Sequence, residues 1–282
     1  MKQGPDLHLS TLMLRRRLSS CTLAEYETFL DAAAAAGCAG ICLATLDHRV
    51  AREAGKSDAE LVGWVHDRGL ATPIVEAVLG WAQGQDAAAI EAEVGPAVEL
   101  AAHAGAKVLT AVSLDATIDL EVAAQGFRKV CEIASRADLD VSLEFLPWGA
   151  IPEIGVAWNL VARAGAPNGG ILLDTWHWHR RRGGPDFATL ERIPGDRILV
   201  LQLSDAAEDE GDDLMRESIQ ARLLPGEGAI DYGRLFACLE RIGARPLIAP
   251  EVFNRALAER GPAEMARRVA EASRAVFAAA TR

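Results

Sequence analysis

The sequence predicts an α/β fold, a single (β/α)8 barrel, and three observations carry that prediction. Short runs rich in Val, Ile and Leu alternate with helical runs along the whole chain, which leaves either a barrel or an open doubly wound sheet. The length of 282 residues suits one barrel, which takes about 250. No Gly-rich dinucleotide fingerprint comes after the first strand-like run, and no Pro/Ser-rich linker or composition shift divides the chain, so residues 1–282 read as one domain.

Taken in order, the strand-like runs are 7–13, 39–44, 72–78, 107–113, 141–145, 170–174, 198–203 and 246–253. Several are almost continuous in branched apolar residues, as expected of parallel strands covered on both faces. The helices between them carry start and stop signals. Thr22 with Glu25, and Ser57 with Glu60, form capping boxes, and Gly37 and Gly69 close the two helices that they open. Helices are expected over 87–103, 120–137, 152–164, 187–192, 232–242 and 262–279, with the Gly95-Pro96 step kinking or dividing the first of these six.

Bulk properties exclude some functions. Half of the residues are apolar, so a large core can be buried, and 40 acidic against 29 basic side chains leave a net charge of −11 that disfavours binding to nucleic-acid phosphates. Five cysteines, an odd number without a CxxC pair, read as reduced cytosolic thiols. The first apolar stretch is interrupted at Arg15, Arg16 and Arg17 and lacks a signal-peptide cleavage site, and no run is long enough to span a bilayer. A cytoplasmic protein with no nucleic-acid or membrane partner is expected, and a homo-oligomer is compatible with the sequence.

Catalytic groups on such barrels come from the C-terminal ends of the strands. Strands five to eight each end in one oxygen-rich side chain directly after an apolar run: Glu144, Asp174, Gln202 and Glu251. Carboxylates beside a packed core are costly unless paired or bound to a cation, and three converging at one rim would repel one another. A divalent ion relieves that repulsion, and an all-oxygen donor set favours Mn2+ or Mg2+ over Co2+ or Zn2+. The competing reading pairs Glu144 and Glu251 with arginines and leaves Asp174 to cap a turn.

The stretches Leu143-Glu144-Phe145-Leu146-Pro147-Trp148, Leu173-Asp174-Thr175-Trp176-His177, Leu201-Gln202-Leu203-Ser204-Asp205, Leu224-Pro225-Gly226-Glu227-Gly228 and Pro250-Glu251-Val252-Phe253 resemble the sugar phosphate isomerase/epimerase superfamily. Those enzymes are barrels related to xylose isomerase and endonuclease IV, and include ketose 3-epimerases, hydroxypyruvate isomerase, inosose dehydratase and 3-dehydroshikimate dehydratase. The resemblance is dense from about residue 141 to 253 and before that rests on element order. It implies one divalent metal on Glu144, Asp174, Gln202 and Glu251, with His177 contacting substrate. Many members carry histidine where this chain has Gln202; hydroxypyruvate isomerase is similar to this chain in using glutamine. An endonuclease role is disfavoured, because His8, His48, His66 and His103 fall on a strand, a loop and two helices away from the expected rim.

The resemblance implies an isomerase or epimerase that works on a keto-sugar or small hydroxy-keto acid through an enediolate, with Glu144 and Glu251 moving the proton and His177 polarising the substrate oxygen. The alternative is a dehydratase, since the same intermediate can expel a β-hydroxyl. A metal-free glycosidase using Glu144 and Glu251 leaves Asp174 and Gln202 unexplained, and a non-catalytic sugar-binding barrel would show no proton exchange. Arg180, Arg181, Arg182 and Arg222 are candidates for an anionic substrate. Trp148 and Trp176 either wall the pocket or pack beneath it, and His179 faces either substrate or solvent. The 26 residues from Ala206 to Asp231 exceed the usual loop of about 2–6 and are expected to contain a short helix at 214–221, serving as a lid over the site or as a subunit contact.

Overall fold

Eight strands pair in parallel in chain order in the computed structural model, which describes residues 4–15 and 21–280. Met1 to Gln3 and the Arg16-Arg17 step, on which the expectation about a leader rests, lie outside the described residues. The strands are β1 His8–Ser10, β2 Gly40–Ala44, β3 Ala71–Val78, β4 Val108–Ala111, β5 Asp140–Glu144, β6 Gly169–Asp174, β7 Ile198–Leu203 and β8 Leu247–Pro250. A parallel bridge from Leu7 to Ile248 brings the first strand to the last, so the sheet closes into the barrel that the alternation predicts.

Side chains alternate across the barrel wall with a period of two. Cys42, Ile74, Val108, Leu172, Val200 and Ala249 form one small apolar cluster inside the barrel, while the larger core lies between the strands and the surrounding helices. Two residues further along the same strands come Glu76, Asp174, Gln202 and Glu251, all buried. The pleat therefore puts these polar groups one layer above the apolar plug, at the C-terminal mouth.

Both capping boxes form, Thr22 with Glu25 and Ser57 with Glu60, on helices Leu23–Ala35 and Asp58–His66. Three short helices are not foreseen by the sequence pattern: Thr45–Glu53, Thr175–Arg180 and Arg255–Ala258. The first of them places His48 on a helix rather than in a loop, where its Nε2 lies 2.8 Å from Asp58. The Gly95-Pro96 step does not divide its helix, which runs from Ala87 to Ala104. Pro96 and Ala92 are exposed, so the carbonyl that loses its donor turns to water instead of breaking the helix. At the ends, β1 and β8 are shorter than expected, and β1 passes into a 3-10 turn, Leu12–Leu14.

Candidate active site

Asp174 and Gln202 sit opposite each other in the β6–β7 register, and Glu144 ends β5 beside them. Asp174 also caps the helix Thr175–Arg180, with Oδ1 accepting the His177 backbone N–H at 2.9 Å. That cap turns the imidazole back over the strand end. His177 Nε2 lies 3.2 Å from Glu144 Oε1 and 3.8 Å from Asp174 Oδ2. One ligand atom from each of Glu144, Asp174 and His177 falls within 4.8 Å of the other two.

Arg222 reaches the same cluster from the long segment after β7. Its Nη1 donates to Asp174 Oδ2 at 2.7 Å and lies 3.5 Å from Glu251 Oε2, so the guanidinium bridges two strand-end carboxylates. Nη2 lies 3.3 Å from His177 Nε2 and donates to Ser218 Oγ at 3.0 Å. Burial works to raise the Asp174 pKa, but Arg222, His177 and the helix cap together hold it below the usual carboxylate range. Glu251 goes the other way: burial, then the charges of Glu76 and Glu144, push it well above its ordinary value despite Arg222.

Glu76, on β3, is a mouth residue that the sequence reading missed. Its Oε1 accepts from Ser10 Oγ at 2.6 Å, and Gln202 Nε2 lies 3.5 Å from Oε2. Burial and the Glu144 charge push its pKa up to about 7, against the opposing Ser10 hydrogen bond and the Arg15 charge. The trace it leaves is a lone acid inside the apolar run of β3, without the strand end that marked Glu144.

The structure thus brings Glu144, Asp174 and His177 into direct reach, ties Glu251 to them through Arg222, and sets Gln202 between Asp174 and Glu76. Gln202 Oε1 is buried without a hydrogen-bond partner. An amide oxygen left over among carboxylates is an acceptor that a divalent cation would satisfy, and beside it Glu144, Asp174 and His177 already offer three ligand atoms in reach of one another.

Trp176 is wholly buried, with its ring 5.5 Å from the Arg222 Cζ and edge-on to His177, so it packs beneath the site and offers no face to a substrate. Trp148 is only partly buried and stands edge-on to His177, with centroids 5.1 Å apart, which suits a pocket wall. Arg180 is consumed by Glu217 and two backbone carbonyls, and Arg181 by Glu153 and the Gly184 carbonyl; Arg182 is exposed. His179 is half-buried, its pKa lowered by burial and by Arg180.

The segment after β7 contains the expected short helix, Leu214–Gln220. Asp205 pins the chain beyond that helix: its Oδ1 accepts from Ala206 and Ile230 N–H and its Oδ2 from Gly226 N–H, at 2.8–3.0 Å. Gly226 adopts φ +85, and a Cβ on Gly228 would lie 2.1 Å from the Ala206 carbonyl oxygen, so glycine is required at both. That turn delivers Arg222 to Asp174. Among the described residues no helix is long and apolar enough to cross a membrane.

Residues 30–276 match the family model of the xylose isomerase-like TIM barrel, and the chain belongs to that family. It is 31% identical over 148 residues to a 3-dehydroshikimate dehydratase of Pseudomonas putida, covering 52% of this chain but 23% of the relative. It is 28% identical over 128 residues to an inosose isomerase of Halalkalibacterium halodurans, covering 45% of this chain and 44% of that one. The chain thus matches under half the length of either relative. Among solved structures, the IOLI protein with a bound zinc atom superposes with a TM-score of 0.83 at 19% identity, over 97% of this chain and 98% of that one.

Proposed function

From its family and the chemistry of its strand ends, we propose that the chain is a divalent-metal-dependent isomerase or epimerase of a keto-sugar or small hydroxy-keto acid, working through an enediolate. The observation that carries this reading is the buried, unpartnered Gln202 Oε1 among Glu144, Asp174 and Glu251. Arg222 supplies one positive charge against these acids, which leaves room for a cation. A divalent ion there, Mn2+ or Mg2+ by donor type, supplies a Lewis acid that polarises a carbonyl and its neighbouring hydroxyl.

The residues do the rest. Glu144 and Glu251 approach from β5 and from the end of β8, so one takes the proton next to the carbonyl and the other returns one. His177 is fixed by the Asp174 cap and hydrogen-bonds the substrate oxygen as charge builds on it. Trp148 shields the reacting carbon from water.

A second reading is dehydration, favoured by the 31% identity to a 3-dehydroshikimate dehydratase. It uses the same proton abstraction and differs only in what leaves. Elemental analysis of the purified protein, followed by a panel of keto-sugars and hydroxy-keto acids in deuterated water, tests both. Deuterium next to the carbonyl with the formula otherwise retained supports isomerisation or epimerisation, and loss of water supports the lyase. A protein without bound metal that exchanges no proton from any panel member overturns both.

A further inference from the structure

A second buried guanidinium, Arg15, stands at the mouth on the β1–β2 side. Ser10, which ends β1, donates to Glu76, and Thr11 Oγ1 lies 3.5 Å from the carbonyl of Cys42, a residue of the inner barrel cluster. Arg15 comes directly after the 3-10 turn. Its Nη2 pairs with Asp47 Oδ1, while Asp47 Oδ2 accepts from Thr11 at 2.6 Å. Arg15 is 5% exposed, and among the described residues its Nε and Nη1 have no hydrogen-bond partner. The charges of Cys21, Glu25, Tyr26 and Glu76 act on Arg15, and Glu76 spends its oxygens on Ser10 and Gln202. Among the described residues, the other basic groups near the site are committed: Arg222 to Asp174 and Ser218, Arg180 to Glu217, Arg181 to Glu153.

Buried guanidinium N–H groups left without acceptors are costly, and a charged acceptor satisfies them best. We propose that Arg15 is a specificity residue that receives a carboxylate of the substrate, so that the enzyme acts on a hydroxy-keto acid rather than a neutral keto-sugar. This rests on the reading that the β5–β8 side holds the carbonyl end through a metal. The substrate then spans the mouth, with its carbonyl by Asp174 and Glu144 and its carboxylate by Arg15. A phosphate is disfavoured because a dianion would face Glu25 and Glu76, whose charges act on Arg15, with only one guanidinium already shared with Asp47.

The test uses two catechol probes whose vicinal oxygens chelate a metal as an enediolate would: 3,4-dihydroxybenzoate and its neutral partner 3,4-dihydroxybenzamide. Their affinities for the Mn2+-loaded protein are measured by titration calorimetry. The acid is expected to bind the wild type at least about tenfold more tightly than the amide, the scale of one charged hydrogen bond. Arg15→Gln is expected to erase that preference while leaving amide binding unchanged. Because Arg15→Gln also strands Asp47, Arg15→Lys, which keeps the charge, is measured beside it and is expected to retain only part of the preference. Equal binding of acid and amide by the wild type overturns the proposal, as does a full preference retained in Arg15→Gln. Amide binding to the loaded protein with no acid preference removes the Arg15 assignment alone; failure to take up Mn2+ removes the metal reading and the assignment with it.

Discussion

Arg222 Nη1 donates to Asp174 Oδ2 at 2.7 Å, and both side chains are closed off from solvent. Removing one member of such a pair leaves a buried charge uncompensated, which destabilises by about 3–5 kcal/mol. Arg222→Ala is therefore expected to lower the denaturant midpoint of the metal-free protein strongly, and Mn2+ is expected to recover part of the loss by taking over the Asp174 charge. Urea unfolding with and without Mn2+ checks this; an equal loss in both conditions would count against a shared site.

Glu144→Ala and Glu251→Ala are each expected to lose the metal or bind it far more weakly. In a loaded crystal the four donor oxygens are expected about 2.0–2.6 Å from the ion. Glu76→Gln keeps the Ser10 side of its hydrogen bonding and lies outside the proposed ligand set, so its metal content is expected to stay near that of the wild type. Elemental analysis of the three variants decides whether the ligand assignment is right.

His177 is tied to Asp174 through its backbone N–H, a contact that a side-chain change leaves intact. His177→Gln is expected to cut turnover by about 10²-fold or more while metal content stays near normal. If metal is lost as well, the imidazole acts mainly as a support for Asp174 and Glu144, or as a ligand itself.

Asp205 holds three backbone N–H groups of the segment that carries Arg222. Asp205→Ala strands the buried Ala206 and Ile230 donors, at about 1–3 kcal/mol each where no water replaces the carboxylate, while the exposed Gly226 N–H turns to solvent. Hydrogen exchange in the wild type is expected to be slow at 222–230 without ligand and fast over the exposed stretch 207–213, becoming slow there only when a ligand binds. Protection of 207–213 that tracks protein concentration instead would identify a subunit contact.

His8 is buried on β1 with Nδ1 unpartnered, and burial lowers its pKa below 6.5, with Asp6 opposing. The unfolded chain therefore binds more protons just below pH 6.5 than the folded one does. The contribution of neutral His8 is present above pH 6.5 and lost as pH falls below it. His8→Gln is expected to flatten the decline in unfolding free energy between pH 6.5 and 5, read by urea titration at each pH.

The alternation of apolar runs and capped helices determined the barrel by itself, because the periods of two and 3.6 are local properties of the chain. Four of the mouth residues were legible for the same reason: Glu144, Asp174, Gln202 and Glu251 each come after an apolar run at a strand end. Glu76 was not, since nothing in Ile74-Val75-Glu76-Ala77-Val78 tells where in the barrel its strand stops; only the pairing of β3 with its neighbours puts Glu76 level with Gln202. The same holds for the arginines. A run of basic residues after β6 looked suited to an anion, yet folding spends Arg180 and Arg181 on acids nearby, carries Arg222 back from the next loop onto Asp174, and leaves the donors of Arg15 open. Which cation meets which carboxylate depends on loops distant in sequence converging at one rim, and that convergence is set by ring closure and packing rather than by any local pattern.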